Sequence, residues 1–285
     1  MKQLRHIKHQ EYSNKLIKTK IEIWITLNSE HINLSNLLKI LSKEELNKAD
    51  TFLRSDAEFR FIVSRALIRT ALSYASGGIV PPKRWRIRTL STGKPWAVDP
   101  DGTGDIYFNL SHAGTMAAVA VSLDNEVGID VEPLGNHIQP HDIWAVLTER
   151  ERFELAMTAP ENRSMELIRT WTMKESYLKL LGTGLNIDPG KIDVGLKPME
   201  ILADRGYRIG TPLFTRNWIM EFDKTAFSLS LAAWKTGSRD PDINFHLFDP
   251  TLKRQSCCQL KNTSGSEKEE QSWKDYIIYS SDAAR

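Results

Sequence analysis

The motif Ser/Thr-x-x-Glu, in which a capping hydroxyl and a glutamate satisfy each other's backbone amides at a helix start, stands at Ser42-Lys43-Glu44-Glu45 and again at Thr148-Glu149-Arg150-Glu151. Each opens a short helix, and a long helical stretch follows it. In the first half the long stretch covers residues 56–74 and is stopped by Gly77-Gly78 and Pro81-Pro82. In the second half it passes through Trp171 to Leu181 and stops at Gly182. Apolar alternation marks strands at 21–27, 85–90, 106–111, 116–122 and 127–133, and again at 192–196, 217–222 and 227–234. The stretch 21–27 reads as a half-buried strand. One order of elements thus occurs twice, which predicts an α+β fold made of a pseudo-twofold pair of similar lobes, each a long helix against a small antiparallel sheet. The expected divisions are a polar segment at 1–20, lobes at 21–124 and 125–235, and a polar, poorly ordered tail at 236–285 containing the linker-like stretch from Ser264 to Glu270. A ligand cleft is expected between the lobes.

Composition excludes several classes. A net charge of +2 over 285 residues is too mild to argue for a nucleic-acid binder, although it would not repel an acidic partner. No run approaches the roughly 18 apolar residues of a membrane span, and the start is polar and basic, without a hydrophobic segment or cleavage site, so a cytoplasmic protein with no membrane partner is expected. Cys257 and Cys258 are adjacent and offer neither a disulfide framework nor zinc spacing. Walker, Rossmann, Gly-x-Ser-x-Gly and His-Glu-x-x-His patterns are all missing from the sequence.

The chemistry-bearing residues lie at a few points of this scheme. On the second long helix Trp171, Glu175 and Lys179 are spaced by four, so an acid and a base stand one turn apart beside an aromatic ring. That pair reads either as a solvated helical ion pair or as a metal ligand or base with a phosphate-binding lysine. Arg60, Arg65 and Arg69 on the first long helix form either a solvated basic face or an anion site. Asp130 and Glu132 project from one side of the strand 127–133, where they are either an acidic sheet edge or two ligands for a hard cation such as Mg²⁺. Gly128 in that strand marks a bulge or a place where another group must approach the backbone. Ser111 and His112 end a strand before a small-residue turn. The ring there either donates to a phosphate or is satisfied by backbone groups. Lys94, between Gly93 and Pro95, is a point charge on a rigid turn, suited to a phosphate or to water.

In order and spacing, Gly93-Lys94-Pro95, Phe108-Asn109-Leu110-Ser111-His112, Val127-Gly128-Ile129-Asp130-Val131-Glu132 and Trp171-Thr172-Met173-Lys174-Glu175-Ser176-Tyr177-Leu178-Lys179 with Gly182 and Gly184 closely resemble the motifs of the surfactin-synthetase-activating (Sfp-type) 4′-phosphopantetheinyl transferases. The resemblance runs from about residue 21 to residue 234. It implies a monomer that moves 4′-phosphopantetheine from coenzyme A to a serine of an apo acyl or peptidyl carrier protein and releases adenosine 3′,5′-bisphosphate. It also implies that Asp130, Glu132 and Glu175 hold Mg²⁺, that Arg60, Lys94, Ser111 and His112 grip coenzyme A, and that Lys179 contacts its phosphates and assists catalysis with Glu175. Lys43 and Lys48 are the cations on offer near the first capped helix, where the family binds the 3′-phosphate. Two other readings fit the same residues: a non-catalytic coenzyme A or carrier-binding module, and a different Mg²⁺-dependent phosphoesterase. The extension past Trp234 departs from the compact members of the family, and residues 240–285 are expected to be dispensable.

Overall fold

In chain order the elements are β1 (Lys20–Leu27), α1 (Leu34–Leu38), α2 (Lys43–Ala49), α3 (Ser55–Ala75), β2 (Arg86–Thr89), β3 (Pro95–Val98), β4 (Asp105–Ala113), β5 (Met116–Ser122), β6 (Val127–Pro133), α4 (Glu149–Met157), α5 (Pro160–Leu181), β7 (Ile192–Leu196), β8 (Met199–Asp204), β9 (Leu213–Phe222), β10 (Thr225–Trp234), β11 (Asp242–Leu247), β12 (Ser256–Cys258) and β13 (Tyr276–Ser280). This is a mixed α+β fold. The computed structural model describes residues 19–27, 32, 34–90, 92–100, 105–135, 144–183, 187–196, 199–204, 212–222, 225–248, 256–258 and 276–280. Gly184, the segment 1–18 and the stretch from Ser264 to Glu270 lie outside the described residues.

Both helix-opening boxes form. Ser42 Oγ accepts the Glu45 N–H at 3.3 Å while the Glu45 carboxylate accepts the Ser42 N–H at 3.0 Å. Thr148 and Glu151 repeat the exchange at 3.2 and 2.7 Å. Each box glutamate also takes a buried cation from the long helix behind it: Arg69 Nε of α3 reaches Glu45 at 2.5 Å, and Lys174 Nζ of α5 reaches Glu151 at 2.7 Å. The solvated basic face is therefore corrected at Arg69, which is only 2% exposed. Its guanidinium can be inside because Glu45 and the carbonyls of Pro82, Lys83 and Trp85 together absorb its donors.

The strands form two principal sheets, one of seven strands in the order β12-β11-β1-β5-β4-β3-β2 and one of four in the order β13-β9-β10-β6. A separate ribbon pairs β7 with β8. On one face of the larger sheet, Trp24, Phe108, Val119 and Val121 meet Ile62, Ala66, Leu67 and Ala71 of α3. On the other, Ile21, Ile23, Ile25, Met116, Ala118 and Ala120 meet Ile129, Val131, Leu229 and Leu231 of the smaller sheet. The far side of the smaller sheet receives α5, which closes a four-layer stack of helix, sheet, sheet and helix.

β1 departs from the half-buried reading, because α3 and the second sheet cover both its faces and β5 and β11 occupy both its edges. β11 is also the correction to the tail. Far from being loose, Asp242–Leu247 pairs in parallel with β1. Ile243 and Phe245 enter the core between the sheets. The His246 ring stacks on Trp24 at 4.4 Å, with Nε2 2.5 Å from Glu22 Oε2. Among the described residues, no helix is long and apolar enough to cross a membrane.

Ending the chain after Gly237 removes β11 and uncovers an edge of β1, including the side chains that Ile243, Phe245 and Phe248 cover. At about 1.5–3 kcal/mol for each of those three apolar side chains, this truncation is expected to yield insoluble or unfolded protein. Ending it after Phe248 keeps β11 and is expected to leave a cooperative thermal transition. Equal melting temperatures for the two truncations would show that β11 is not part of the folding unit.

Candidate active site

α5 is positioned by a missing side chain. A Cβ built on Gly128 of β6 would lie 2.0 Å from the Ser176 carbonyl oxygen and 2.4 Å from the Leu180 nitrogen, so only glycine admits the helix backbone at this distance. The helix starts with Pro160 in its first turn and ends at Gly182 in the left-handed region, with φ 67°. Its apolar residues do not form one stripe facing the sheet. Leu167 and Met173, with Trp171 at the margin, pack toward Leu155 and Val194, and Leu178 packs toward Ile192 and Trp234. The side toward β6 and β10 carries Thr172 and Ser176 instead, both buried. Small and polar groups suit an interface that Gly128 has made this close.

This approach sets α5 beside Asp130 and Glu132. Lys179 Nζ donates to Asp130 Oδ1 at 2.6 Å and to Ser111 Oγ at 2.9 Å, and Ser111 in turn donates to Asp130 Oδ1 at 2.7 Å. The three groups close a small ring across β4, β6 and α5. Asp130 Oδ2 is buried and, among the described residues, has no hydrogen-bond partner. Burial pushes the Asp130 carboxyl above its ordinary range against the pull of Lys179. Glu132 is pushed up to about 7 by burial, then by the neighbouring Asp130 charge, with Glu175 adding to it. Glu175 is raised by burial and by Asp130. The Asp130 charge thus makes both glutamates harder to ionise, and Glu132 also feels Glu175.

Among the described residues, no three His, Cys, Asp or Glu side chains already enclose a metal position. The donor set nevertheless suits a hard divalent cation. It is all oxygen, it contains one buried carboxylate oxygen with no partner, and its mutual repulsion is what a cation relieves.

The remaining predicted residues fall in two places. His112 follows Ser111 on β4, and its pKa is lowered by burial and by the positive charges of Lys179 and Arg60, so the ring is neutral at neutral pH. Arg60 on α3 is near enough for its charge to act on the His112 ring, and it is held by Asp56 at 3.1 Å. Lys94 is placed differently. Its side chain is 9% exposed, its ammonium donates to the Leu180 carbonyl at 2.7 Å, and its stem passes against Gly182. There the charge complements the C-terminal end of α5. Lys48 lies over the Phe52 ring at 5.7 Å.

Asn109 went unremarked as a site residue in the sequence. Its Oδ1 accepts the Ile129 N–H at 3.0 Å, and Ser111 Oγ accepts the Val131 N–H at 3.4 Å. These two side chains splice β4 to the edge of β6 where no backbone ladder joins the sheets. The signal was there: period two puts Asn109 and Ser111 on one face of a strand whose other face is apolar.

The family described as the 4′-phosphopantetheinyl transferase superfamily matches residues 126–212 of this chain. The 4′-phosphopantetheinyl transferase HetI of Nostoc sp. is 30% identical over 191 residues, 65% of this chain and 78% of that protein. The 4′-phosphopantetheinyl transferase of Bacillus subtilis is 27% identical over 164 residues, 56% of this chain and 69% of that one. The human L-aminoadipate-semialdehyde dehydrogenase-phosphopantetheinyl transferase is 23% identical over 223 residues, 72% of this chain and 71% of that one.

Gly128→Ala is expected to lower unfolding free energy by about 3 kcal/mol or more in a urea titration, since the methyl group meets backbone rather than a movable side chain. A variant as stable as the parent would mean that helix and strand do not approach this closely.

Proposed function

The chain belongs to the 4′-phosphopantetheinyl transferase superfamily, and from that membership we propose that it carries 4′-phosphopantetheine from coenzyme A to a serine of an apo acyl or peptidyl carrier protein, with Mg²⁺, releasing adenosine 3′,5′-bisphosphate. The observation that carries the reading is the junction of Ser111, Asp130 and Lys179, with a partnerless buried oxygen on Asp130 and two further carboxyls whose ionisation is suppressed around it.

The reading gives each residue a task. Asp130, Glu132 and Glu175 would hold Mg²⁺, which when bound neutralises charge on the pyrophosphate oxygens. Glu175, with its raised pKa, takes the proton of the carrier serine hydroxyl, directly or through a water. Lys179 reaches Asp130 and Ser111 from one turn farther along α5, and its ammonium stabilises charge on the departing phosphate. Neutral His112 can donate a ring N–H to a phosphate oxygen, and Arg60 near it supplies a fixed charge. Lys94 serves the substrate indirectly in the placement described, by holding the end of the helix that bears Lys179.

The same reading takes the molecule as a cytoplasmic monomer of two pseudo-symmetric lobes, 21–124 and 125–235. What supports the symmetry is the repeated device of a box glutamate clamped by a cation of the following long helix, Glu45 by Arg69 and Glu151 by Lys174.

Incubation with coenzyme A, Mg²⁺ and an apo carrier protein is expected to add one phosphopantetheinyl arm to the carrier, read by intact mass. No mass gain with several unrelated carriers would favour a binding module, and inorganic phosphate released from simple esters would favour a phosphoesterase. Glu175→Gln is expected to lower kcat by about 10²-fold or more. The same substitution should move unfolding free energy by less than about 1 kcal/mol. A Glu175→Gln protein that unfolds with no specific loss of turnover would reduce Glu175 to a structural ion-pair residue.

A further inference from the structure

The layer between α5 and the smaller sheet contains a closed polar circuit with no access to water. Thr172 of α5, Asn217 of β9, and Ser228 and Ser230 of β10 are all 0% exposed, and Arg169 of α5 is nearly so. Asn217 Nδ2 donates to Ser228 Oγ at 2.8 Å and to Ser230 Oγ at 2.9 Å. Both serine hydroxyls lie 2.9 Å from Thr172 Oγ1. The Thr172 hydroxyl donates to the Arg169 carbonyl at 3.0 Å, and Arg169 Nε donates to Asn217 Oδ1 at 2.9 Å.

Asn217 Nδ2 also donates to the Leu229 carbonyl at 3.3 Å. One assignment of donors satisfies the whole circuit: the Thr172 hydroxyl gives its hydrogen to the Arg169 carbonyl and accepts from the two serines, and each serine accepts from the Asn217 amide. The amide oxygen of Asn217 is left for Arg169, which is in turn held by Glu166 at 2.8 and 3.0 Å. A circuit of directional bonds holds its members at one spacing, whereas an apolar contact of the same area would allow the helix to slide.

Its location gives that spacing a purpose. In the β10–β6 register, Ser228 faces Glu132 and Ser230 faces Asp130. On the helix, Thr172 is one turn ahead of Glu175 and two ahead of Lys179. The hydroxyls that tie α5 to β10 are thus the cross-strand neighbours of the two acids on β6, and they lie along the same helix face that presents the third.

We propose that Asn217, Thr172, Ser228 and Ser230 are positioning residues that set the separation between Asp130 and Glu132 on β6 and Glu175 on α5, and so set the affinity of the site for a divalent cation. The proposal rests on the metal reading given above. None of the four residues touches substrate. They act through the relative placement of strand and helix, as outer groups do that orient ligands they are not part of.

The test uses Mn²⁺ as the probe, with affinity read from water-proton relaxation on the full-length protein in the presence of coenzyme A. Thr172→Val and, as a second variant, Ser228→Ala are expected to weaken Mn²⁺ binding by about tenfold, within the range seen when outer-shell partners of metal ligands are removed. In carrier modification the same variants should raise the Mg²⁺ concentration needed for half-maximal rate while kcat at saturating Mg²⁺ stays within about twofold, as loss of ground-state positioning alone requires. Leu155→Ala, in the separate core between α4 and α5, should lower the melting temperature and leave Mn²⁺ affinity unchanged. If Thr172→Val and Ser228→Ala melt lower but bind Mn²⁺ as the parent does, the circuit is packing only and the proposal fails. A parent protein that binds no Mn²⁺ would overturn the metal reading itself, a result distinct from normal binding in both parent and variants.

Discussion

The approach of the α5 backbone to β6 across Gly128 is the constraint on which the site depends. A side chain at this position would overlap the Ser176 carbonyl and the Leu180 amide, so helix and strand could not be neighbours at their observed spacing. With that spacing granted, everything facing across it must be short or polar. Thr172 on the helix meets Ser228 and Ser230 on the sheet, and Lys179 reaches Asp130 and Ser111. An interface made this way gives up apolar burial, which most helix-on-sheet contacts rely on. The loss is met elsewhere, by the core between the two sheets and by the apolar clusters on either flank of α5.

The junction of the sheets follows from the same geometry. β6 is an edge strand of the smaller sheet, and unpaired amides on an edge need partners. Asn109 and Ser111 supply acceptors for Ile129 and Val131, the residues on either side of Asp130. Backbone and side chain of the strand that bears Asp130 and Glu132 are thus fixed from β4, and the helix is fixed from β10. Farther out, each long helix is tied to its short partner by one buried cation on a capping glutamate, and β11 returns to lock β1 into the larger sheet.

The local half of this was legible in the sequence. Capping boxes, helix stops and the paired acids of β6 are determined by residues within a few positions of one another, and all of these lie where their patterns put them. What escaped depends on partners far along the chain. Arg69 looked like surface charge because Glu45 is 24 residues away and nothing in the spacing says the pair is buried. The bond from Lys94 to the backbone carbonyl of Leu180, 86 residues on, could not be foreseen because a carbonyl has no sequence signature. β11 does carry alternation at Ile243, Phe245 and Leu247, but its polar surroundings hid it. Its other face, Asn244 and His246, is buried too, against Glu22. Ser228 and Ser230 alternate with apolar neighbours as a solvated face would, and only Gly128, a strand glycine with no turn to make, hinted that a helix covers them.

The electrostatics of the site follow from placing charge where the fold gives it little water. Burying a carboxylate without full pairing is unfavourable, and among the described residues Asp130 keeps one oxygen unpaired, while its charge raises the pKa of Glu132 and of Glu175 and the Glu175 charge raises Glu132 further. Lys179 pairs with one oxygen of Asp130, and its charge offsets part of the shift at Glu132 and Glu175. A structure selected for stability alone would have replaced at least one of these carboxyls with a neutral group, because a buried charge cluster is poor evidence of a stabilising role. Their presence on two elements brought together at Gly128 is what the proposed cation site would require.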